Sequence, residues 1–207
     1  MPSRKTILTS LACGEVTSWF LILILKIPHV KKLGFLPELG NWIWLLLIIL
    51  PILYLLALYV ASLLIRISKI FYQIVKFVEV GALNTFIDWS LFGLLIAITG
   101  ASGGGILFIL KKGLSFSFAA TNSYFWNKIW TFQKEGFEKS GREFSEFFVV
   151  SAIGLAINVG TAFAFVNIVG PQFGLSQELW NNLSALPGTL SAMTWNFLGY
   201  KFIVFEK

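Results

Sequence analysis

Four long stretches of this chain contain no acidic or basic side chain, and they constrain its fold more than any other feature. They cover residues 39–65, 89–110, 147–177 and 179–200. Each is longer than the roughly 18 apolar residues that mark a membrane-spanning helix. Inside a bilayer the backbone amides and carbonyls must bond to one another, so such stretches form helices. The pattern predicts an all-α, polytopic transmembrane helical bundle.

The composition agrees with a membrane protein and argues against a soluble domain. Of the 207 residues, 57 % are hydrophobic and 13 % are charged, and the mean hydropathy is +0.79. Soluble domains carry about 25 % charged residues. The net charge of +6 is typical of basic cytoplasmic loops in a membrane chain, so we expect the bilayer, and no nucleic acid, as a partner. Because Cys13 is the single cysteine, the chain forms no internal disulfide.

About six helices account for the apolar stretches and their flanks. We predict spans at about residues 7–26, 42–66, 73–98, 112–131, 146–169 and 180–201. The fourth reaches span length only if Lys128 extends its ammonium group to the lipid headgroups. The first contains Glu15 in its middle, and only Ser18–Leu25 within it is strongly apolar. For residues 7–26, a helix that enters the membrane without crossing it, or lies on its surface, therefore stays open as an alternative.

The distribution of lysine and arginine predicts that both termini are cytoplasmic. With six spans, every basic residue falls on the inner side except Lys26, Lys31, Lys32, Lys111 and Lys112. Cytoplasmic loops of membrane proteins carry an excess of such residues. Leaving residues 1–40 outside without a span would weaken this excess. We therefore expect a multi-pass protein of the plasma (inner) membrane.

Two copies of a short basic and aromatic sequence end two of the predicted spans. Residues 121–132 read TNSYFWNKIWTF, and residues 194–205 read TWNFLGYKFIVF. We call these copies the first and second exit cassettes. A shift of 73 residues superposes them and aligns Lys128 with Lys201. The match indicates two repeated helical hairpins of the same orientation, related by an axis along the membrane normal.

Lys128 and Lys201 have two interpretations. Basic residues at the cytoplasmic ends of helices commonly anchor a protein in the membrane. Alternatively, the two ammonium groups bind a lipid phosphate, because basic pockets between helices on the cytoplasmic side bind lipid headgroups. In that case the interfacial aromatic residues would lie against the isoprenoid or the sugar. They are Trp126, Trp130 and Tyr200.

Polar side chains share one face on each of four predicted helices. A charge in the middle of a membrane helix costs about 2.5–3.5 kcal/mol on insertion scales. Small residues and amides at such positions either pack helices together or line a cavity for a polar headgroup. We expect Asp88 to have a partner or a ligand, and Glu79 to be interfacial. The candidate cavity residues are Asn84, Asp88, Asn127, Asn158 and Asn196.

The sequence shows no set of residues suited to covalent chemistry or to binding a metal. His29 is the single histidine and Cys13 the single cysteine, so neither a metal cluster nor a Cys–His nucleophile pair can form. The glycine-rich segment 100–105 lacks the Gly-Lys-Ser/Thr ending of a phosphate-binding loop and is typical of an extracellular turn. We expect a protein that is not an enzyme and that has no cofactor.

Residues from about 70 to 207 resemble the GtrA-like family of small polytopic membrane proteins. The resemblance rests on KFVEVGALNTFIDW at 76–89, NKIWTF at 127–132 and WNFLGYKFIVF at 195–205. It implies a four-helix transmembrane domain over 70–207 and leaves residues 1–69 as a two-helix N-terminal extension. The chain departs from the family at Ser123-Tyr124, where the family usually has asparagine followed by phenylalanine.

The resemblance also implies a role in cell-surface polysaccharide or glycopolymer biosynthesis. Members of the family are thought to translocate polyprenyl-phosphate-linked sugars, so a flippase-like carrier is the first hypothesis. Some members are fused to polyprenyl-phosphate glycosyltransferases, so a non-catalytic anchor or subunit that docks such a transferase is the alternative. The expected partners are a polyprenyl-phosphate lipid or its sugar conjugate and, in the second case, a glycosyltransferase. A homo-oligomer, with two cores enclosing one headgroup, stays open.

Overall fold

The structure is a computed structural model that describes residues 2–26, 40–64, 68–99, 105–134, 136 and 140–205. Over these residues the chain is helical and contains no strand, which confirms the predicted all-α class. The turn predicted at 100–105 lies almost wholly outside the described residues. So does the end of the second predicted span at residue 66.

Seven α-helices lie within the described residues and reproduce the six predicted segments. They are α1 (Arg4–Lys26), α2 (Leu46–Leu64), α3 (Lys69–Thr99), α4 (Ile106–Trp126), α5 (Ser140–Ala164), α6 (Gln177–Leu183) and α7 (Ala185–Gly199). A 3₁₀ segment, Gly40–Leu45, leads into α2. The sixth predicted helix is divided into α6 and α7 at Ser184, whose hydroxyl donates to the carbonyl of Asn181 at 2.6 Å.

Four helical segments within the described residues are long and apolar enough to cross a membrane, judged by length and composition. They are Arg4–Lys26, Gly40–Leu64, Lys69–Thr99 and Gly141–Val169. The first span, in spite of Glu15 in its middle, is therefore long and apolar enough. The segments predicted to cross at 112–131 and 180–201 are helical, as expected, but they do not belong to this set. Their crossing of the bilayer stays a prediction.

The first of two compact units, Met1–Gln133, contains α1 to α4. In this unit α1 packs on α2 and α3, and α4 packs on α3. The approach of α1 to α2 requires Gly14, because a Cβ there would lie 2.6 Å from the Cα of Pro51. The predicted boundary between an extension and a four-helix domain at residue 69 stays a prediction. The core of the unit is formed by Cys13, Tyr54, Val80, Leu83, Ile87, Ala119 and Trp130.

The second compact unit, Lys134–Lys207, contains α5, α6 and α7. Glycines allow α5 and α7 to lie close together: a Cβ added to Gly199 would lie 2.5 Å from Cγ1 of Val150. The short α6 is held at the end of α5 by Trp180. Its indole stacks on Phe165 at 4.2 Å and donates to the carbonyl of the same residue at 2.9 Å. Contacts from the C-terminal part of the unit thus reach the middle of α5 and the π turn, Phe165–Val169, that follows it.

Candidate functional site

Both exit cassettes end in a π turn, in which a backbone amide reaches the carbonyl five residues earlier. The first, Asn127–Thr131, follows α4, and the second, Tyr200–Val204, follows α7. Each closes with an amide hydrogen bond from a phenylalanine, at 2.9 Å for Phe132 and 2.8 Å for Phe205. Their first residues, 127 and 200, and their last, 131 and 204, keep the offset of 73 residues. π turns are rare and occur frequently at functional sites.

Lys128 occupies the second position of the first π turn and is fully buried. Its ammonium lies 3.4 Å from the hydroxyl of Tyr124, one helical turn earlier. The neighbouring side-chain amide of Asn127 donates to the carbonyl of Ser123 at 2.9 Å and to its hydroxyl at 3.2 Å. A buried ammonium needs oxygen partners, because desolvation of a charge is costly. In this conformation Lys128 is enclosed by protein and does not face lipid headgroups.

Lys201 occupies the same position of the second π turn but is only partly buried. Its ammonium lies above two rings, 5.8 Å from the centre of Phe197 and 5.4 Å from the centre of Phe202. Such cation–π contacts are worth about 0.5–1 kcal/mol at exposed sites. Because a ring face attracts the charge without using every N–H donor, this ammonium can still bind an anion.

The aromatic residues predicted to lie at the membrane interface are mostly inside the protein. Trp130 and Tyr200 are 6 % and 4 % exposed, and Trp126 is half-buried. The ring of Tyr200 stacks on Phe147 at 4.3 Å, and its hydroxyl shares a hydrogen bond of 2.7 Å with Ser151. The rings of Trp126 and Trp130 meet edge to face at 6.2 Å. Contact with a lipid or a sugar stays a prediction for all three.

Asp88 on α3 has two partners on α4. Lys112 donates to its Oδ2, and the hydroxyl of Ser115 donates to its Oδ1 at 2.7 Å. The side chains of Asp88 and Lys112 are 16 % and 41 % exposed, so the ion pair is open on one side. The sequence predicts a partner or a ligand for this carboxylate, and a partner is found. From the sequence, Lys112 stands out only as a basic residue on the outer side.

Asn84 lies one turn before Asp88 and joins α3 to α4 through a pair of amides. It accepts a hydrogen bond from Asn122 at 2.8 Å and donates to the carbonyl of Val80 at 2.7 Å. The polar faces predicted for α3 and α4 therefore meet. Asn122 is a functional candidate that the sequence does not single out, although its spacing of three residues from Ala119 keeps it near the face of α4 that carries the small residues.

Asn158 and Asn196 each lie against a glycine of the facing helix. A Cβ added to Gly154 on α5 would overlap the side chain of Asn196, and one added to Gly188 on α7 would lie 2.8 Å from the carbonyl oxygen of Asn158. The small and polar faces of α5 and α7 therefore meet as predicted. Within the described residues, two buried amide oxygens have no hydrogen-bond partner, Oδ1 of Asn196 and Oδ1 of Asn127. Such acceptors are unusual, and a ligand hydroxyl could bind them.

Two ionisable residues of α3 that the sequence does not place in the site are buried. Glu79, expected to be interfacial, is 4 % exposed, and its Oε2 accepts from the hydroxyl of Ser10 on α1 at 2.8 Å. Lys76 is 2 % exposed and donates to the carbonyl of Trp130 at 3.2 Å. The sequence signal for this burial is a polar face on α1, formed by Thr6, Ser10, Cys13 and Thr17.

Comparisons with known proteins identify relatives of the larger part of the chain. A family model described as "GtrA/DPMS, transmembrane domain" matches residues 76–205. The chain is 28 % identical over 130 residues to the uncharacterized membrane protein YngA of Bacillus subtilis (strain 168), which covers 63 % of this chain and 77 % of that protein. No solved structure matches the chain. The matched region includes both π turns and every candidate residue of the phosphate and headgroup sites.

Proposed function

Because the chain belongs to the GtrA/DPMS transmembrane-domain family, we propose that it is a flippase-like carrier of a polyprenyl-phosphate-linked sugar across the plasma membrane. Membership supports a membrane protein of processes that use sugars on a glycosyl carrier lipid. The finer step, a carrier that binds the lipid phosphate and the sugar, is supported by the geometry of the exit cassettes and of the polar residues. Its service to cell-surface polysaccharide or glycopolymer biosynthesis is implied by the family resemblance alone.

The observation that carries the proposal is the lysine repeated in the two π turns. A polyprenyl phosphate is a long apolar chain that ends in an anion, so its binding site needs a cation next to an apolar surface. Lys128 and Lys201 hold the same position in two matched turns, and each lies beside an aromatic ring. The π turn after α5, Phe165–Val169, contains no basic residue. The lysine is therefore a feature of the two exit cassettes and not of every π turn in the described residues.

The two lysines differ in access, which sets the order of binding in the proposal. Lys201, partly buried against Phe197 and Phe202, receives the phosphate first. Lys128 is fully buried and reaches a phosphate only after the structure around it opens. A hydrogen bond to a charged group contributes about 1.5–3 kcal/mol. One such lysine would raise the affinity for the lipid about tenfold or more.

In the proposal, each unit by itself offers polar residues that suit the hydroxyl groups of a sugar. In the first unit, Asn84 and Asp88 lie one turn apart where α3 packs on α4, and sugar hydroxyls both donate and accept. In each unit one buried amide oxygen has no donor within the described residues, on Asn127 and on Asn196. Asn158 adds another amide on α5. A ligand rich in hydroxyl groups suits these acceptors, because a buried acceptor without a donor is costly.

A carrier of this kind makes and breaks no covalent bond, so the proposal assigns no catalytic residue. The rival function, a membrane anchor that docks a glycosyltransferase, needs a protein interface but no lipid site of its own. The carrier and the anchor therefore differ in what purifies with the chain.

Mass spectrometry of lipids retained by the full chain in a mild detergent tests the proposal. We expect a polyprenyl phosphate or its sugar conjugate to copurify with the wild-type chain. Lys201→Ala should lower the retained amount about tenfold, as expected for the loss of a hydrogen bond to a charged group. Lys69→Ala is the matched control, because Lys69 is an exposed lysine at the start of α3 on the same predicted side.

Three outcomes separate the alternatives. Equal retention by Lys201→Ala and Lys69→Ala would remove the phosphate site from the proposal. A stable complex with a glycosyltransferase, without retained lipid, would support the anchor. Movement of a fluorescent polyprenyl-phosphate sugar between leaflets of reconstituted vesicles would distinguish a carrier from a protein that only binds the lipid.

A further inference from the structure

The contact of α1 with α3 encloses a carboxyl group that the proposed lipid sites do not use. Glu79 is 4 % exposed, and one of its oxygens, Oε2, accepts from the hydroxyl of Ser10 at 2.8 Å. Its other oxygen, Oε1, is buried and has no hydrogen-bond partner within the described residues. A carboxyl group inside a membrane protein is rare and commonly marks a pathway for ions or protons.

Lys76 lies one turn before Glu79 on the same face of α3, yet its ammonium does not bond to Oε1. It donates to the carbonyl of Trp130 at 3.2 Å and lies 4.8 Å from the centre of the Tyr72 ring. Residues three apart on a helix are neighbours, so Lys76 is close enough to balance the charge of an ionised Glu79. Lys76 is therefore a counter-ion for Glu79, and no hydrogen-bond donor within the described residues occupies the Oε1 position that a proton would bind.

Three helices surround this carboxyl group. From α2, the hydroxyl of Tyr54 donates to the backbone carbonyl of Glu79 at 3.4 Å and shares a hydrogen bond of 3.0 Å with Thr17 of α1. The end of α4 and the first π turn pack on α3. The π turn adds the carbonyl of Trp130, and its Lys128 forms a buried titratable pair with Tyr124 of α4. The titratable groups that face Glu79 are Cys13, Tyr54, Tyr72 and Lys76.

We propose that Glu79 is a proton-binding site. A proton from water binds Oε1 and converts the carboxylate into a neutral carboxyl group, while Ser10 holds Oε2 in place. When Glu79 loses its negative charge, the ammonium of Lys76 no longer faces a carboxylate and stays bonded to the carbonyl of Trp130. This carbonyl belongs to the first π turn. Proton binding at Glu79 is thereby linked to the exit cassette that contains Lys128. The link between this proton and lipid movement rests on the proposed function, whereas proton binding itself does not.

The N-terminal helices complete this site. Ser10 lies outside the residues 76–205 that the family model matches, whereas Glu79 and Lys76 lie inside them. α1 therefore supplies the donor to Oε2, and α2 supplies the Tyr54 hydroxyl near the same turn of α3. In this proposal α1 and α2 enclose a proton site on the part of the chain that the family model matches.

Infrared difference spectroscopy of the purified full chain, recorded during a pH titration, tests the site without any lipid. We expect the wild type to show the C=O stretch of a protonated carboxyl group that appears and disappears with pH. Glu79→Gln should remove this band, and it still offers an oxygen to Ser10. Glu15→Gln is the matched control, because it makes the same charge change on α1, where Glu15 accepts from the indole of Trp19 at 3.1 Å.

The remaining variants keep the test decisive if Glu79→Gln does not fold. Glu79→Asp should move the frequency of the band, and Ser10→Ala should move its pH midpoint, because Ser10 bonds directly to the carboxyl group. An unchanged band in Glu79→Asp or Glu79→Gln would overturn the proposal. If the wild type shows the band but moves no lipid, the proton site stands and the carrier is rejected. If the wild type moves lipid but shows no band, the carrier stands and the proton site is rejected.

Discussion

The two exit cassettes have the same backbone but different surroundings. Lys128 and Lys201 occupy the second position of π turns closed by hydrogen bonds of 2.9 and 2.8 Å. Lys128 is nevertheless fully buried, whereas Lys201 is only partly buried. The backbone of a cassette is therefore set by its own sequence, but the burial of its lysine is not.

The two lysines also differ in the residue four positions before each of them. In the first cassette this residue is Tyr124, whose hydroxyl lies 3.4 Å from the ammonium of Lys128. In the second it is Phe197, which offers Lys201 only a ring face at 5.8 Å. Residues four apart on a helix are neighbours, and a tyrosine hydroxyl accepts a hydrogen bond that a phenylalanine cannot. The tyrosine oxygen is thus a partner that the first cassette offers its buried lysine and that the second cassette does not offer its partly buried one.

Alanine substitution of each lysine should give the largest difference in stability between the two cassettes. Lys128→Ala should lower the free energy of unfolding by about 2–4 kcal/mol, because it removes a buried side chain and its contact with the Tyr124 hydroxyl. Lys201→Ala should cost less than about 1 kcal/mol, since it loses cation–π contacts alone. Unfolding in detergent by denaturant titration measures both. Equal losses would mean that the two lysines do not differ in burial.

The residue before each π turn gives the next largest effect. It is Gly199 in the second cassette and Trp126 in the first. Gly199→Ala places a Cβ 2.5 Å from Cγ1 of Val150, so we expect a loss of about 1–3 kcal/mol from overpacking. Trp126→Phe, a change at a half-buried ring, should cost less. The same denaturant titration would show the opposite order if α5 and α7 were not in close contact.

Exchange of the ring four residues before each lysine has the smallest effect and sharpens the comparison most. Tyr124→Phe should destabilise the chain by about 1 kcal/mol, because the buried ammonium loses one oxygen partner. Phe197→Tyr should leave stability almost unchanged but reduce reaction of Lys201 with an amine-modifying reagent. Mass spectrometry of the modified lysines reads out this change. Unchanged reactivity would mean that a hydroxyl at this position does not draw the lysine inward.

The helices and the repeat of the exit cassettes can be predicted from the sequence. The charge-free stretches predict helical segments, because a backbone inside a bilayer must satisfy its own hydrogen bonds. Every helix except α1 overlaps one of these stretches. The offset of 73 residues between the cassettes also recurs as matched π turns. The π geometry itself is not predictable from the sequence, because a five-residue hydrogen bond leaves no sequence periodicity of its own.

Side-chain partners are predicted less well, because they join residues distant in the chain. The sequence indicates that Asp88 needs a partner but does not identify Lys112, which lies 24 residues away. Glu79 is expected to be interfacial from its position on one helix, and it is buried because Ser10, 69 residues earlier, lies against it. A lysine at a helix end is expected to reach the headgroups, so the burial of Lys128 is visible only in three dimensions.

The π turns also restrict how the chain length of related proteins can vary at the two cassettes. A π turn contains one residue more than an α-helical turn, and each residue rotates an α-helix by about 100°. Deletion of a single residue from Asn127–Thr131 or Tyr200–Val204 would turn the closing phenylalanine onto another side of its helix. Phe205 would then leave the interior, where it is 4 % exposed. A change of length in either cassette should therefore be tolerated less well than a conservative substitution, and related chains should keep the length of these turns.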